Sequence, residues 1–222
     1  MMQTFDIAGP ITVVLDIPAG RIAVNGADQA GATVEVRPAD ASKGRDVKAA
    51  EQITTAYDDG VLRIEASSAK NMIFGNSGSV DVTVRVPAGS RVEGRAAAAE
   101  FRGSGRFGDV AFDTAQGPVH IDETGGARIG VAAGDVTIGR LTGPAEISVS
   151  KGDIRIAEAV RGTVVLRVQA GAIEVGAAAG VPAVLNAGVS YGRVDNRLKN
   201  DGTAELEIHA TSSYGDIVAH SL

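Results

Sequence analysis

The chain has 222 residues, 44% of them hydrophobic, with a formal net charge of −6, no cysteine and no tryptophan. That composition excludes disulfides, thiolate metal sites and a cysteine nucleophile. Its 21 Lys and Arg residues are scattered, without the single basic face of a nucleic-acid binder. With 4% aromatics and 29 glycines, the core must be built from small branched side chains between many tight turns, which favours a thin solenoid over a globule.

No basic residue precedes Arg21, and Asp6 and Asp16 bracket a short strand-like run. Neither a signal peptide nor a membrane span is expected, so the expected location is the cytoplasm. Ile11, Val13 and Leu15 then alternate onto one face. Pro18-Ala19-Gly20 reads as a turn into a second short strand over 21–24, which already matches a phrase repeated later. Asn25-Gly26 is a strong turn signal, and a third strand over 33–37 stops at Pro38.

Residues 39–56 break this rhythm. Val47, Ala50 and Ile53 lie at helical spacing, and the segment reads equally as a short helix or an exposed loop. A strand follows the Asp59-Gly60 turn. Residues 67–79 form a Ser-, Asn- and Gly-rich loop containing Met72, Ile73 and Phe74. These three side chains are either the tip of a contact loop or pins that fold back onto the body. The cleanest alternation is Val80, Val82, Val84 and Val86, all facing one side. It ends at Pro87-Ala88-Gly89, an echo of Pro18-Ala19-Gly20 that suggests related units.

From Val92 onward a short phrase recurs: glycine, a turn residue, then two apolar residues flanking a variable one. It appears as Gly117-Pro118-Val119-His120-Ile121, Gly134-Asp135-Val136-Thr137-Ile138, Gly152-Asp153-Ile154-Arg155-Ile156 and Gly171-Ala172-Ile173-Glu174-Val175. Two degenerate copies begin at Gly192 and Gly215. The leading glycines are 17, 18, 19, 21 and 23 residues apart. A repeat of this kind signals stacked β coils, each with alternate apolar residues inward and neighbouring coils about 4.8 Å apart. The expected fold is all-β, a single-stranded, β-helix-like β-solenoid with little helix. An N-terminal β-rich cap (1–91) precedes the coils (92–222) within one continuous domain. Terminal repeats are usually atypical, and the tail from Ser213 reads as a final rung.

The run Val13-Val14-Leu15-Asp16-Ile17-Pro18-Ala19-Gly20, the turn Val84-Arg85-Val86-Pro87-Ala88-Gly89 and the Gly-Asp-Val/Ile phrases together resemble a bacterial β-strand-repeat family of unknown function, adhesin-like in its usual description. The resemblance covers the whole chain. It implies a β-solenoid and carries over no catalytic residue.

The polar residues suggest no converging chemistry. His120, His209 and His220 read as surface side chains, because a metal site needs several converging ligands. Asp135, Asp153 and Asp216 share a column after the turn glycine and read as turn formers. Tyr191 and Tyr214 hold the same repeat position and are expected to stack on each other. No catalytic residue, cofactor or metal is expected. The expected role is a non-enzymatic scaffold or interaction module that is a monomer or weak homo-oligomer. Its partner would be an unidentified protein, with no nucleic acid and no membrane insertion. The alternative is a carbohydrate-active β-helix lyase or hydrolase, for which Asp113, Asp122 and Glu123 are the candidate acids.

Overall fold

In the computed structural model, residues 2–66 and 78–222 are described. The N-terminal part runs β1 (Met2–Phe5), β2 (Thr12–Ala27), β3 (Ala32–Pro38), α1 (Gly44–Glu51), β4 (Ile53–Asp58), β5 (Val61–Ala66), β6 (Val80–Pro87) and β7 (Arg91–Gln116). The coils continue as β8 (Val119–Ala133), β9 (Val136–Leu141), β10 (Ala145–Lys151), β11 (Ile154–Ala159), β12 (Gly162–Ala170) and β13 (Ile173–Ala177). Four strands close the chain: β14 (Ala183–Tyr191), β15 (Val194–Arg197), β16 (Leu206–Tyr214) and β17 (Ile217–Ser221).

The strands stack into two parallel ladders joined at a corner, the architecture of a single-stranded β-solenoid. The first ladder runs from β5 through the start of β2 to the start of β7. The end of β7 lies beside that start, and continues to the end of β8, then β10 and β12. The second ladder runs from β6 through the end of β2, the middle of β7 and the start of β8 to β9, β11 and β13.

The inward rows follow from the alternation. One row is Val119, Val136, Ile154 and Ile173, and every member is buried. Three phenylalanines, Phe101, Phe107 and Phe112, are buried in this narrow core. Phe101 and Phe112 lie with ring centroids 4.6 Å apart, and Gly94 leaves the room that the Phe112 ring fills.

The leading glycine of each phrase is dictated by stacking. Gly134 has φ +150° and Gly152 +138°, a region that L side chains rarely enter. A Cβ on Gly152 would also overlap the carbonyl oxygen of Gly134 in the coil beneath.

Several local readings change and one open alternative resolves. Asn25-Gly26 is not a turn but lies within β2, in register with Ser104 and Gly105. Pro18-Ala19-Gly20 is a corner inside the continuous strand β2, where Gly20 presses on the backbone of Val80. Pro87-Ala88-Gly89 by contrast is a true turn between strands. Residues 44–51 are helical, held partly by the buried Asp46, whose carboxylate accepts the Ser79 N–H at 3.0 Å. Ile53 does not extend that helix but opens β4, which pairs with β5 across the Asp59-Gly60 turn.

Coil order in space departs from coil order in sequence at both ends. Strands β5 and β6 stack beneath β2, although they follow it in the chain. At the other end β16 lies between β12 and β14, and β17 between β13 and β15. The last segment of the chain is therefore an inserted coil, not the final rung. The composition explains the swap. Leu206, Ile208 and Ile217 of the inserted coil are buried on both sides, while the displaced outer coil carries Asn196 where the inner coils carry Ile138, Ile156 and Val175.

Candidate interaction surface

The turn carboxylates act as staples between coils. Asp135 accepts the Asp153 N–H at 2.9 Å, Asp153 accepts the Ala172 N–H at 2.7 Å, and Asp216 accepts the Arg193 N–H at 2.8 Å. Each satisfies a backbone donor of the coil stacked on it. Ala172 interrupts the series because it has no carboxylate to offer.

The three acids weighed as a catalytic group are divided between the two ladders. Asp113 belongs to the first, opposite Gly130. Asp122 follows Ile121 of the second ladder, accepting the Gly105 N–H at 3.0 Å and facing His120 Nε2 at 3.2 Å. Glu123 sits between Arg106 and Arg140 in register. His209 lies on β16 beside Val165 and Asn186, and His220 on β17 beside Gly176 and Arg197. Among the described residues no group of three or more His, Asp or Glu side chains has metal-holding geometry.

Charges on the outer faces are paired between coils. Arg21 chelates Asp81, with contacts of 3.0 and 2.7 Å, and this hydrogen bonding raises the Arg21 pKa. Arg95 reaches Asp16 through one nitrogen at 2.5 Å, and that hydrogen bond raises its pKa in the same way. Arg155 pairs with Glu174, and Arg167 reaches Glu146 at 2.8 Å. Ahead of α1, Asp40 is held at about 2, chiefly by the Ser42 hydroxyl and also by Lys43 and the Ser42 N–H.

The two ends of the stack differ. At the N-terminal end, antiparallel strands β4, β3 and β1 close the ladders, and α1 packs against β3. At the other end, β14 and β15 pair among the described residues only with β16 and β17, which leaves their outer edges open there. The inward rows also stop there. Val194 ends the row through Ile173 and Ile217 and is 43% exposed. Val184, on the outward side of the same coil in register with Glu207, is 37% exposed.

Tyr191 and Tyr214 stand in register at the corner of this end, with ring centroids 5.1 Å apart and planes 3° from parallel. They are 67% and 60% exposed, so the pair presents an aromatic surface to solvent. Met72, Ile73 and Phe74 lie outside the described residues. Sequence reasoning missed Val194 because the phrase marks its position as an ordinary inward strand residue, and Val184 because it lies outside the phrase. The available signal was the polar content of their coil, with Asn186, Gly188 and Asn196.

The sequence profile of the Toastrack DUF4097 family matches residues 21–221. No curated protein matches the chain. Several solved structures are similar over nearly their full length. A candidate adhesin from Bacteroides fragilis NCTC 9343 is 10% identical, with a TM-score of 0.45 over 99% of this chain and 96% of that one. A candidate adhesin from Parabacteroides distasonis ATCC 8503 is 14% identical, with a TM-score of 0.44 over 98% and 96%. A candidate lipid-binding protein from the same organism is 14% identical, with a TM-score of 0.45 over 97% and 96%. Among the described residues no helix is long and apolar enough to cross a membrane.

Proposed function

The chain belongs to the Toastrack DUF4097 family, and from that premise we propose that it works by contact, as a non-enzymatic interaction module whose binding surface is the open end of the solenoid. The observation that carries this reading is the gathering of Tyr191, Val194 and Tyr214, all exposed, at the corner between β14 and β15 on the outermost coil and its neighbour. Exposed apolar groups concentrated at one place mark interaction sites more often than scattered ones do. The open strand edge adds a row of backbone donors and acceptors with the spacing of another polypeptide strand, so the partner we propose is a protein. The acids support the same reading from the other side. Asp122, Asp135, Asp153 and Asp216 hold backbone amides of neighbouring coils, a structural duty that competes with proton transfer to a substrate.

A photo-crosslinking residue at position 191 tests the surface, with the same residue at position 37 near the closed end as control. Cross-links to polypeptide from position 191 and none from position 37 are expected. The reverse pattern overturns the surface. Turnover of a glycan, abolished by Asp122→Asn or Glu123→Gln, overturns the non-enzymatic role.

A further inference from the structure

Resting on that reading of the open end, we propose that the partner is a second copy of this chain, docked end to end through β15 about a two-fold axis at Val194. The backbone directions set the geometry. Arg193 gives its carbonyl to the Ile217 N–H at 2.9 Å and its own N–H to Asp216, so both groups point into the stack. Alternate residues of a strand point their backbone groups to opposite edges. The N–H and C=O of Val194 and Asn196 therefore face outward, away from β17, along the edge that has no neighbouring strand among the described residues.

The side chains around Val194 are self-complementary. In an antiparallel pair centred on Val194, that residue exchanges both backbone hydrogen bonds with the partner's Val194. The same register sets Arg193 opposite the partner's Asp195, and Asp195 opposite the partner's Arg193. An isologous contact requires this reciprocity. Both charged side chains are available for it. Arg193 is 89% exposed and reaches Asp216 only at 3.5 Å, and Asp195 is 54% exposed, with Arg197 at 3.1 Å. Val194 points toward the core rows, so its apolar contact with the partner's Val194 would continue the row of Ile173 and Ile217 across the junction. A contact about a two-fold axis closes on itself, so the assembly stops at two copies instead of growing into a filament.

Sedimentation velocity of the full chain from about 1 to 100 μM tests this. A concentration-dependent dimer that weakens with salt is expected. Arg193→Asp and Asp195→Arg should each weaken it about tenfold or more, because each creates two like-charged cross-strand pairs. The double exchange, Arg193→Asp with Asp195→Arg, should restore the dimer, an outcome that a folding defect cannot mimic. Val194→Pro removes the outward N–H and should abolish the dimer at an unchanged melting temperature, since proline is tolerated on a free edge. A chain that stays monomeric throughout, or a dimer that survives both single charge reversals, overturns the proposal. If the monomeric chain still cross-links from position 191 to another polypeptide, the self-pairing falls while the open end keeps its role.

Discussion

Gly192 rests on Gly215, a residue that comes later in the chain: a Cβ on Gly192 would overlap the Gly215 carbonyl oxygen, and Gly215 in turn sits on Gly171. This contact records the inserted coil in a single pair of residues. It predicts that Gly192→Ala loosens the outermost coil and nothing beneath it. Hydrogen exchange should show protection lost in 183–197 and at amides that donate to that coil, such as Ile217, with the amides of Gly171 and Ile173, which donate to Tyr214 and Asp216, still protected. Gly215→Ala should release both terminal coils. Equal effects on residues 206–221 from the two changes would show that the coils stack in sequence order.

Ile154 and Arg155 are adjacent in sequence and opposite in environment. Ile154 is 1% exposed, between Val136 and Ile173. Ile154→Asp places a charge there without a partner, at a cost of several kcal/mol. Arg155 faces solvent and pairs with Glu174. Such exposed pairs contribute about 0–1 kcal/mol, so Arg155→Ala should move the melting temperature little. Thermal unfolding of the two variants checks the inward and outward assignment.

Gly94 and Phe112 share one packing site. A Cβ on Gly94 would lie 2.7 Å from the Phe112 ring, too close without movement of a buried aromatic. Gly94→Ala is expected to cost about 1–3 kcal/mol, the usual penalty for overpacking. Phe112→Leu should relieve part of that penalty in the double variant. A double-mutant cycle by urea unfolding measures the coupling, which vanishes if the two residues do not meet.

The turn carboxylates can be tested as staples. Asp153→Ala removes the acceptor of the Ala172 N–H and should cost about 1 kcal/mol, the net worth of one hydrogen bond. Asp153→Asn keeps an acceptor and should cost less. Equal losses in chemical denaturation would point to charge, not hydrogen bonding, as the source.

Asp40 offers a check on local electrostatics. Its carboxylate titrates at about 2, below the ordinary 3.8, because the Ser42 hydroxyl, Lys43 and the Ser42 N–H favour the charged form. A lowered pKa stabilises the fold above the ordinary value, and that contribution is lost as pH falls through about 2. An NMR titration should find the low midpoint and should show it rising in Ser42→Ala.

Much of the architecture is a local matter, and local matters are legible. The alternation of Val136, Thr137 and Ile138 fixes which side chains turn inward, because a strand repeats every two residues. The spacing of Gly117, Gly134 and Gly152 fixes the coil, because each glycine must admit the carbonyl of the coil beneath. Tyr191 and Tyr214 could be matched from their place in the phrase, since parallel stacking in register aligns equivalent positions. The order of the coils was not legible. Any apolar coil of this period stacks on any other, so the phrase alone does not say whether residues 183–197 or 206–221 lie outermost. Tertiary structure decided it by burial: Ile208 and Ile217 lose more on exposure to water than the coil with Asn186 and Asn196 does. The open edge at Val194 follows from that choice.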